Sequence, residues 1–120
     1  MSDAVVRRWT SSGYFPTRFG LWGFRGPFIL VEVAGSRVAI RLRPKFFASF
    51  LGADPLVAEA GNDLKVSAAR VRATWWWFVE FQLPGERQYS LEVTAAKRDE
   101  ILSCLAEAGF KVPEVQAPSP

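Results

Sequence analysis

The sequence predicts a mainly β (α+β) domain. Two segments alternate apolar and polar residues on both sides of a turn signal, as β-hairpins do. A third, near the C-terminus, repeats apolar residues at helical spacing. At 120 residues the chain suits one domain with a single core, burying roughly two thirds of its unfolded surface. Hydrophobic residues make up 49% and charged residues 22%, which excludes a wholly disordered chain. Five Trp, two Tyr and ten Phe at on the order of 150–250 Å² each are more than a core of this size needs, so some must find another cover.

Residues 1–26 read as an N-terminal arm or edge segment, with "GYFPTRFGLWGFRG" as its aromatic part. The first hairpin is "GPFILVEVAGSRVAIRLRP". Ile29, Val31 and Val33 alternate on one strand, and Val38, Ile40 and Leu42 on the next. Gly35-Ser36 suits a two-residue turn with glycine first. That register pairs Val33 with Val38, Val31 with Ile40 and Ile29 with Leu42, placing all six on one face. Pro27 and Pro44 bracket the unit, since a residue without an N–H belongs at strand ends.

In "KFFASFLGADP", Phe46, Phe47, Phe50 and Leu51 fit a short helical stripe that Gly52 and Pro55 stop. "LVAEA" reads as a short strand, Gly61-Asn62-Asp63 as a turn, and "LKVSAARVRAT" as a strand with Val66, Ala68 and Val71 inward. The second hairpin is "WWWFVEFQLPGERQYSLEV". Trp75, Trp77, Val79, Phe81 and Leu83 form its inner face, matched by Tyr89, Leu91 and Val93. Trp76, Phe78, Glu80, Gln82, Gln88, Ser90 and Glu92 form the outer one. A loop at Pro84-Gly85-Glu86 sets Glu80 opposite Ser90; the alternative register opposes Glu80 to Glu92, an unfavourable like-charge pair.

"TAAKRDEILSCLAEAGF" is a helix with Thr94 as N-cap. Ile101, Leu102, Leu105 and Ala108 share a face, with Cys104 beside them. Gly109 suits a left-handed cap, and Phe110 closes back on the last turn. Residues 113–120 read as a disordered tail.

Several chemistries lose their usual residues. The chain has no histidine and one cysteine, so the common general base, the common metal ligand and any intramolecular disulfide are missing. No paired-acid motif, phosphate loop or nucleophile elbow stands in the sequence. The expectation is a non-enzyme with no cofactor and no metal. Cys104, among Ile101 and Leu105, reads as a small hydrophobe; a reactive thiol would need the nearby Lys97 or Arg98. The N-terminus lacks an apolar run of about 7–15 residues, and the longest apolar stretch, "WWWFV", is far short of a membrane span. The expected location is the cytoplasm, peripheral to the membrane where lipid is the ligand. Abundant alanine, and arginine well in excess of lysine, suggest a GC-rich bacterial genome. The net charge is +3, and the positive excess lies in residues 1–45, too sparse for the dense clusters nucleic-acid binders carry.

The two hairpins, the "GNDL" turn and "KRDEILSCLAEAGF" together resemble a pleckstrin-homology-like domain of the short bacterial, GRAM-like kind, over residues 27–112. That resemblance implies a strongly bent antiparallel sheet, or partly open barrel, of about six to seven strands capped by one C-terminal helix. It also implies a non-catalytic adaptor that binds lipids, peptides or proteins. The "RLR" triplet resembles the basic signature with which some members hold inositol phosphates. Those members use a long loop between their first two strands, where this hairpin has only Gly35-Ser36. The tryptophan common in the C-terminal helix of eukaryotic members is absent.

Three constellations follow. Arg37, Arg41, Arg43 and Lys45 form a basic stripe, with arginines at i and i+2 roughly 6.6 Å apart and able to share one anion; its plainer reading is a solvated face paired with Glu32. Arg18 and Arg25 lie among Phe19, Leu21, Trp22 and Phe24, a cationic aromatic segment that either docks on a partner or membrane or folds back over the sheet. Trp76 and Phe78 need a cover, which is either the N-terminal arm or a partner, including a second copy. The first functional expectation is a binding module contacting a protein partner, or forming a homodimer, through Trp76, Phe78, Trp22 and Phe24. The second is peripheral attachment to anionic lipid through Arg18, Arg25, Arg37, Arg41, Arg43 and Lys45. Single-stranded nucleic-acid binding is a third reading, disfavoured because Glu80 and Glu92 share the Trp76/Phe78 face and repel phosphates.

Overall fold

The structure is a computed structural model that describes residues 6–61, 63–71 and 75–113. Its centre is β1 (Arg7–Thr17), which pairs with two other strands at once. The sheet runs β4-β3-β2-β1-β7-β6-β5, with every described pairing antiparallel. The other strands are β2 (Gly20–Ala34), β3 (Arg37–Leu42), β4 (Leu56–Glu59), β5 (Lys65–Arg70), β6 (Trp76–Gln82) and β7 (Tyr89–Thr94). Helix α1 (Lys45–Leu51) links β3 to β4, and α2 (Ala95–Glu107) follows β7. This is the mainly β, bent antiparallel architecture with a C-terminal helix that the sequence predicts.

Both hairpin registers are as expected. Ile29, Val31 and Val33 lie opposite Leu42, Ile40 and Val38, and Glu80 lies opposite Ser90. The core is the concave face: Ile29, Val31, Val38, Ile40, Val79, Phe81, Leu91 and Val93 are buried there with Phe15 from β1. Helix α2 adds Ile101, Leu102 and Leu105. Its Thr94 hydroxyl accepts from the Lys97 N–H at 3.3 Å. Gly109 has φ 98°, and the Phe110 N–H returns to the Leu105 carbonyl at 3.0 Å.

The segment 1–26, expected as an arm or edge, differs most. Residues 7–17 are the strand between β2 and β7, not an edge. Trp9, Ser11, Gly13 and Phe15 alternate inward. The first sequence-read hairpin is therefore β2–β3, and the true β1–β2 connection is the tight turn at Arg18-Phe19. Pro27 does not start a strand; β2 runs through it. Between the Ser11↔Ile29 and Gly13↔Phe24 pairs the register shifts, so Arg25–Phe28 bulge out, where a proline costs no ladder bond. The Ser12 hydroxyl accepts the Gly26 N–H at 2.9 Å, satisfying a donor the bulge released.

Three further expectations are corrected. Trp75 is not core: it lies in a bend before β6 and is 77% exposed. Phe24 is not on an outer face: it is 8% exposed and meets Phe47 edge-on, centroids 6.0 Å apart. The four-residue stripe of α1 splits, because successive helical residues are about 100° apart. Leu51 is buried and Phe47 packs on the core, while Phe46 and Phe50 face outward at 78% and 67% exposure. The expected disordered tail lies outside the described residues from 114 onward, as does Asn62 of the expected turn.

A side chain at Gly13 would have nowhere to go. A Cβ there would sit 2.0 Å from the Ser90 carbonyl oxygen of β7. Gly13→Ala must separate the strands that join the two halves of the sheet. It should cost more than about 4 kcal/mol, the range reserved for severe packing lesions. Trp75→Ser, by contrast, should stay within about 0.5 kcal/mol of wild type. Urea unfolding followed by far-UV circular dichroism checks both, and a fully stable Gly13→Ala would contradict the close approach.

Candidate functional site

Three loops converge at one end of the half-barrel and are tied by polar contacts. Thr17, buried, closes the β1–β2 turn: its hydroxyl donates to the Gly20 carbonyl at 2.8 Å and accepts the Phe19 N–H at 3.1 Å. The Arg18 N–H donates to the Leu51 carbonyl at 2.9 Å, and the Arg18 guanidinium to the Phe50 carbonyl, fastening the turn to the end of α1. From the β6–β7 loop, Arg87 donates to the Thr17 carbonyl at 2.6 Å. The Tyr89 hydroxyl donates to the Asp54 carbonyl at 3.0 Å, holding the α1–β4 connection. Burial, with Glu86 and Asp54 nearby, pushes the Tyr89 phenol above its ordinary value.

This frame presents aromatic rings to solvent. Trp22 stacks on Phe19 with centroids 5.8 Å apart. The Arg18 guanidinium lies 5.3 Å from the Phe19 ring and 5.9 Å from the Phe50 ring. Phe46 is one turn before Phe50 on α1. Trp22, Phe19, Phe50 and Phe46 therefore form a connected rim, with Arg18 in its middle and Leu21 exposed beside it.

Next to the rim is a basic groove of about 670 Å³, lined among others by Arg41, Arg43, Lys45, Ser49, Gly52 and Asp54. Helix α1 serves both surfaces. Lys45, Ala48, Ser49 and Gly52 turn to the groove, and Phe46 and Phe50 to the rim. Arg18 bridges the two from behind, because its side chain packs on Gly52; a Cβ there would lie 3.1 Å from the Arg18 Cβ. Three cations thus face one carboxylate. Arg41 also reaches Glu32 at 3.7 Å, but Arg43 and Lys45 have no ion pair among the described residues.

The sequence-derived residues therefore separate. Arg41, Arg43 and Lys45 line one groove, and Arg18 and Trp22 belong to the adjoining rim. Arg37 does not join them: it lies at the other end of β3 and reaches Glu59 at 3.7 Å. Arg25, on the β2 bulge, shares a different cradle with Trp76. Phe78 is partly covered by Tyr14 of β1, centroids 5.8 Å apart, and Trp76 stays 38% exposed. Phe46 and Phe50 were missed as surface residues. Their signal was the i, i+4 spacing beside Phe47 and Leu51, which leaves two of four rings off the core face.

Elsewhere the side chains serve the fold. Arg98, 3% exposed, lies 4.1 Å over the Trp77 ring and pairs with Asp99 at 2.7 Å. A desolvated cation on a tryptophan face is worth about 2 kcal/mol, so Trp77 is roofed by α2. Among the described residues no group of three or more His, Cys, Asp or Glu is placed to hold a metal. No helix among the described residues is long and apolar enough to cross a membrane. Set against protein-family models, curated proteins and solved structures, the chain matches none of them.

Cys104 is buried, and burial pushes its thiol above the ordinary value. The thiolate is the reactive form. A thiol-specific reagent near neutral pH should therefore leave the native protein unlabelled over minutes and modify Cys104 fully in denaturant. Rapid native labelling would reveal an accessible thiolate.

Proposed function

We propose that this protein is a non-catalytic binding module that docks peripherally on anionic lipid through the end carrying the rim and groove. One observation carries the reading: α1 turns Lys45 to a basic groove and Phe46 and Phe50 to an exposed aromatic rim, so charge and apolar surface share one approach direction. Rings of this kind favour the bilayer interface. Cations beside them gain about 1 kcal/mol each near a negatively charged leaflet. A rigid frame supports the reading, because rings already fastened outward lose little freedom on docking. The likeness to pleckstrin-homology-like domains belongs to the same proposal. It draws support from the strand order and the single helix following β7.

The second reading is contact with a protein partner or a second copy through the Trp75/Trp76 surface. It is favoured by the exposure of those two rings and weakened by Tyr14, which occupies much of Phe78.

Co-sedimentation with vesicles separates the two. The protein should bind vesicles containing phosphatidylglycerol far more tightly than vesicles of phosphatidylcholine alone, and raised salt should release it. Arg43→Gln/Lys45→Gln should weaken binding about 30-fold, two charges at about 1 kcal/mol each. Phe46→Ser/Phe50→Ser should abolish binding without loss of stability, since both rings are exposed. Salt-insensitive dimerisation that Trp75→Ser/Trp76→Ser removes, with no vesicle binding, would favour the second reading.

A further inference from the structure

On the outer face of the sheet, away from the groove, is a cradle of about 420 Å³ whose walls include Ser12, Tyr14, Gly23, Arg25, Trp76 and Glu92. Its floor is the β1 backbone where that strand joins both halves of the sheet: Ser12 lies opposite Glu92, and Tyr14 opposite Ser90 on one side and Gly23 on the other. Gly23 makes room for the Tyr14 ring, since a Cβ there would meet its Cε1 at 3.0 Å. The ring then leans toward Phe78, the cross-strand partner of Glu92. Tyr14, Trp76 and Glu92 thus line the same cradle. Arg25 projects from the β2 bulge that the Ser12–Gly26 hydrogen bond holds in place.

The charges in this cradle are opposite, yet neither is used. Glu92 and Arg25 form no ion pair with each other or with any other described residue. Neither takes part in a side-chain hydrogen bond among the described residues, although Glu32, Glu59 and Glu80 on the same sheet all have partners. Two aromatic side chains and a carboxylate lining one cradle suit a weakly hydrated cation, and methylated ammonium is the kind that aromatic cages hold best. A guanidinium at the far wall suits an anionic group on the same ligand. A ligand of one sign would leave one of the two side chains repelled.

We infer that the cradle binds a small zwitterion, with a quaternary ammonium against Tyr14, Trp76 and Glu92 and a carboxylate or phosphate against Arg25. This site is separate from the groove of the proposed lipid surface and does not depend on that reading. The same chemistry comes from free betaine-type solutes and from phosphocholine head groups.

Titration of the full chain with glycine betaine, phosphocholine, choline and acetate, followed by amide and indole NMR shifts, tests it. The two zwitterions should shift signals from Ser12–Tyr14, Arg25 and Trp76 with millimolar dissociation constants, at least tenfold tighter than choline or acetate. Glu92→Gln and Arg25→Gln should each weaken the zwitterions at least fivefold, with α2 signals unchanged as a check on folding. Competition by phosphatidylcholine vesicles would identify the head group as the source, and its absence the free solute; either accords with the site. Shifts absent at tens of millimolar, equal affinity for choline alone, or binding unchanged in both variants would overturn it.

Discussion

The fold hangs on one close approach. At Gly13 the β1 backbone passes so near β7 that the Ser90 carbonyl occupies the space of a side chain. β1 pairs with β7 only over Ser12–Tyr14, while its pairing with β2 runs almost its whole length. Those three residues join the β2–β3–β4 half of the sheet to the β7–β6–β5 half. Because the junction is short, each half can tilt and the sheet can curl around Phe15, Leu91 and Leu105. The β2 bulge at Arg25–Phe28 is the matching strain relief on the other side of β1, and Ser12 secures both by taking the Gly26 N–H. A residue with a Cβ at position 13 would push the halves apart and take the core with them.

The same junction explains where aromatic residues are affordable outside the core. Past it, β1 and β2 continue as a narrow two-stranded ribbon ending at Arg18-Phe19. Such a ribbon is marginal alone, and here Thr17, Arg18 and Arg87 tie it to α1 and to the β6–β7 loop. These polar anchors use the backbone and leave the rings outside. Fully burying one such ring is worth roughly 1.5–3 kcal/mol, so four left in water forgo a sizeable fraction of a small domain's stability. A surface that costly and that firmly held argues for use. The groove beside it gathers Arg41, Arg43 and Lys45 of the basic residues in 1–45.

Strands with alternating large apolar residues were legible, and so were their registers, because Ile29/Leu42 and Glu80/Ser90 leave little choice. The C-terminal helix was legible for the same reason. β1 was not. Its inward positions are Trp9, Ser11, Gly13 and Phe15, so the two central ones are small and the alternation disappears at the point where closeness demands it. Phe24 was misread because the Gly-rich ribbon looks alike on both faces until α1 brings Phe47 against one of them. Arg98 was hidden by its type: it falls one turn before Ile101 and Leu102 on the apolar face, but a buried arginine is expected only when a partner such as Trp77 is known. For the site, the basic residues were legible as a stripe. That α1 would gather Arg41, Arg43 and Lys45 into a groove, and send Arg37 elsewhere, depends on how the β3–β4 connection folds back.

The two surfaces also bear on each other through geometry. Gly23 of the cradle directly follows Trp22 of the rim on β2, so the two surfaces adjoin. The proposed lipid docking presents the rim and groove, with Arg18, Arg41, Arg43 and Lys45, to the negatively charged surface. In that proposed pose the rings of Phe46, Phe50 and Trp22 would reach the apolar boundary, and the cradle would stand beside the head-group layer. The proposed zwitterion binding, of little use to a freely diffusing molecule at low ligand concentration, would gain there, since one attachment raises the local concentration for the next. The outer carboxylates Glu80 and Glu92, which repel an anionic surface met face-on, would lie along the side of the sheet in this pose. The proposed function asks for a molecule with a distinct end, and the curl at the short β1–β7 junction supplies one.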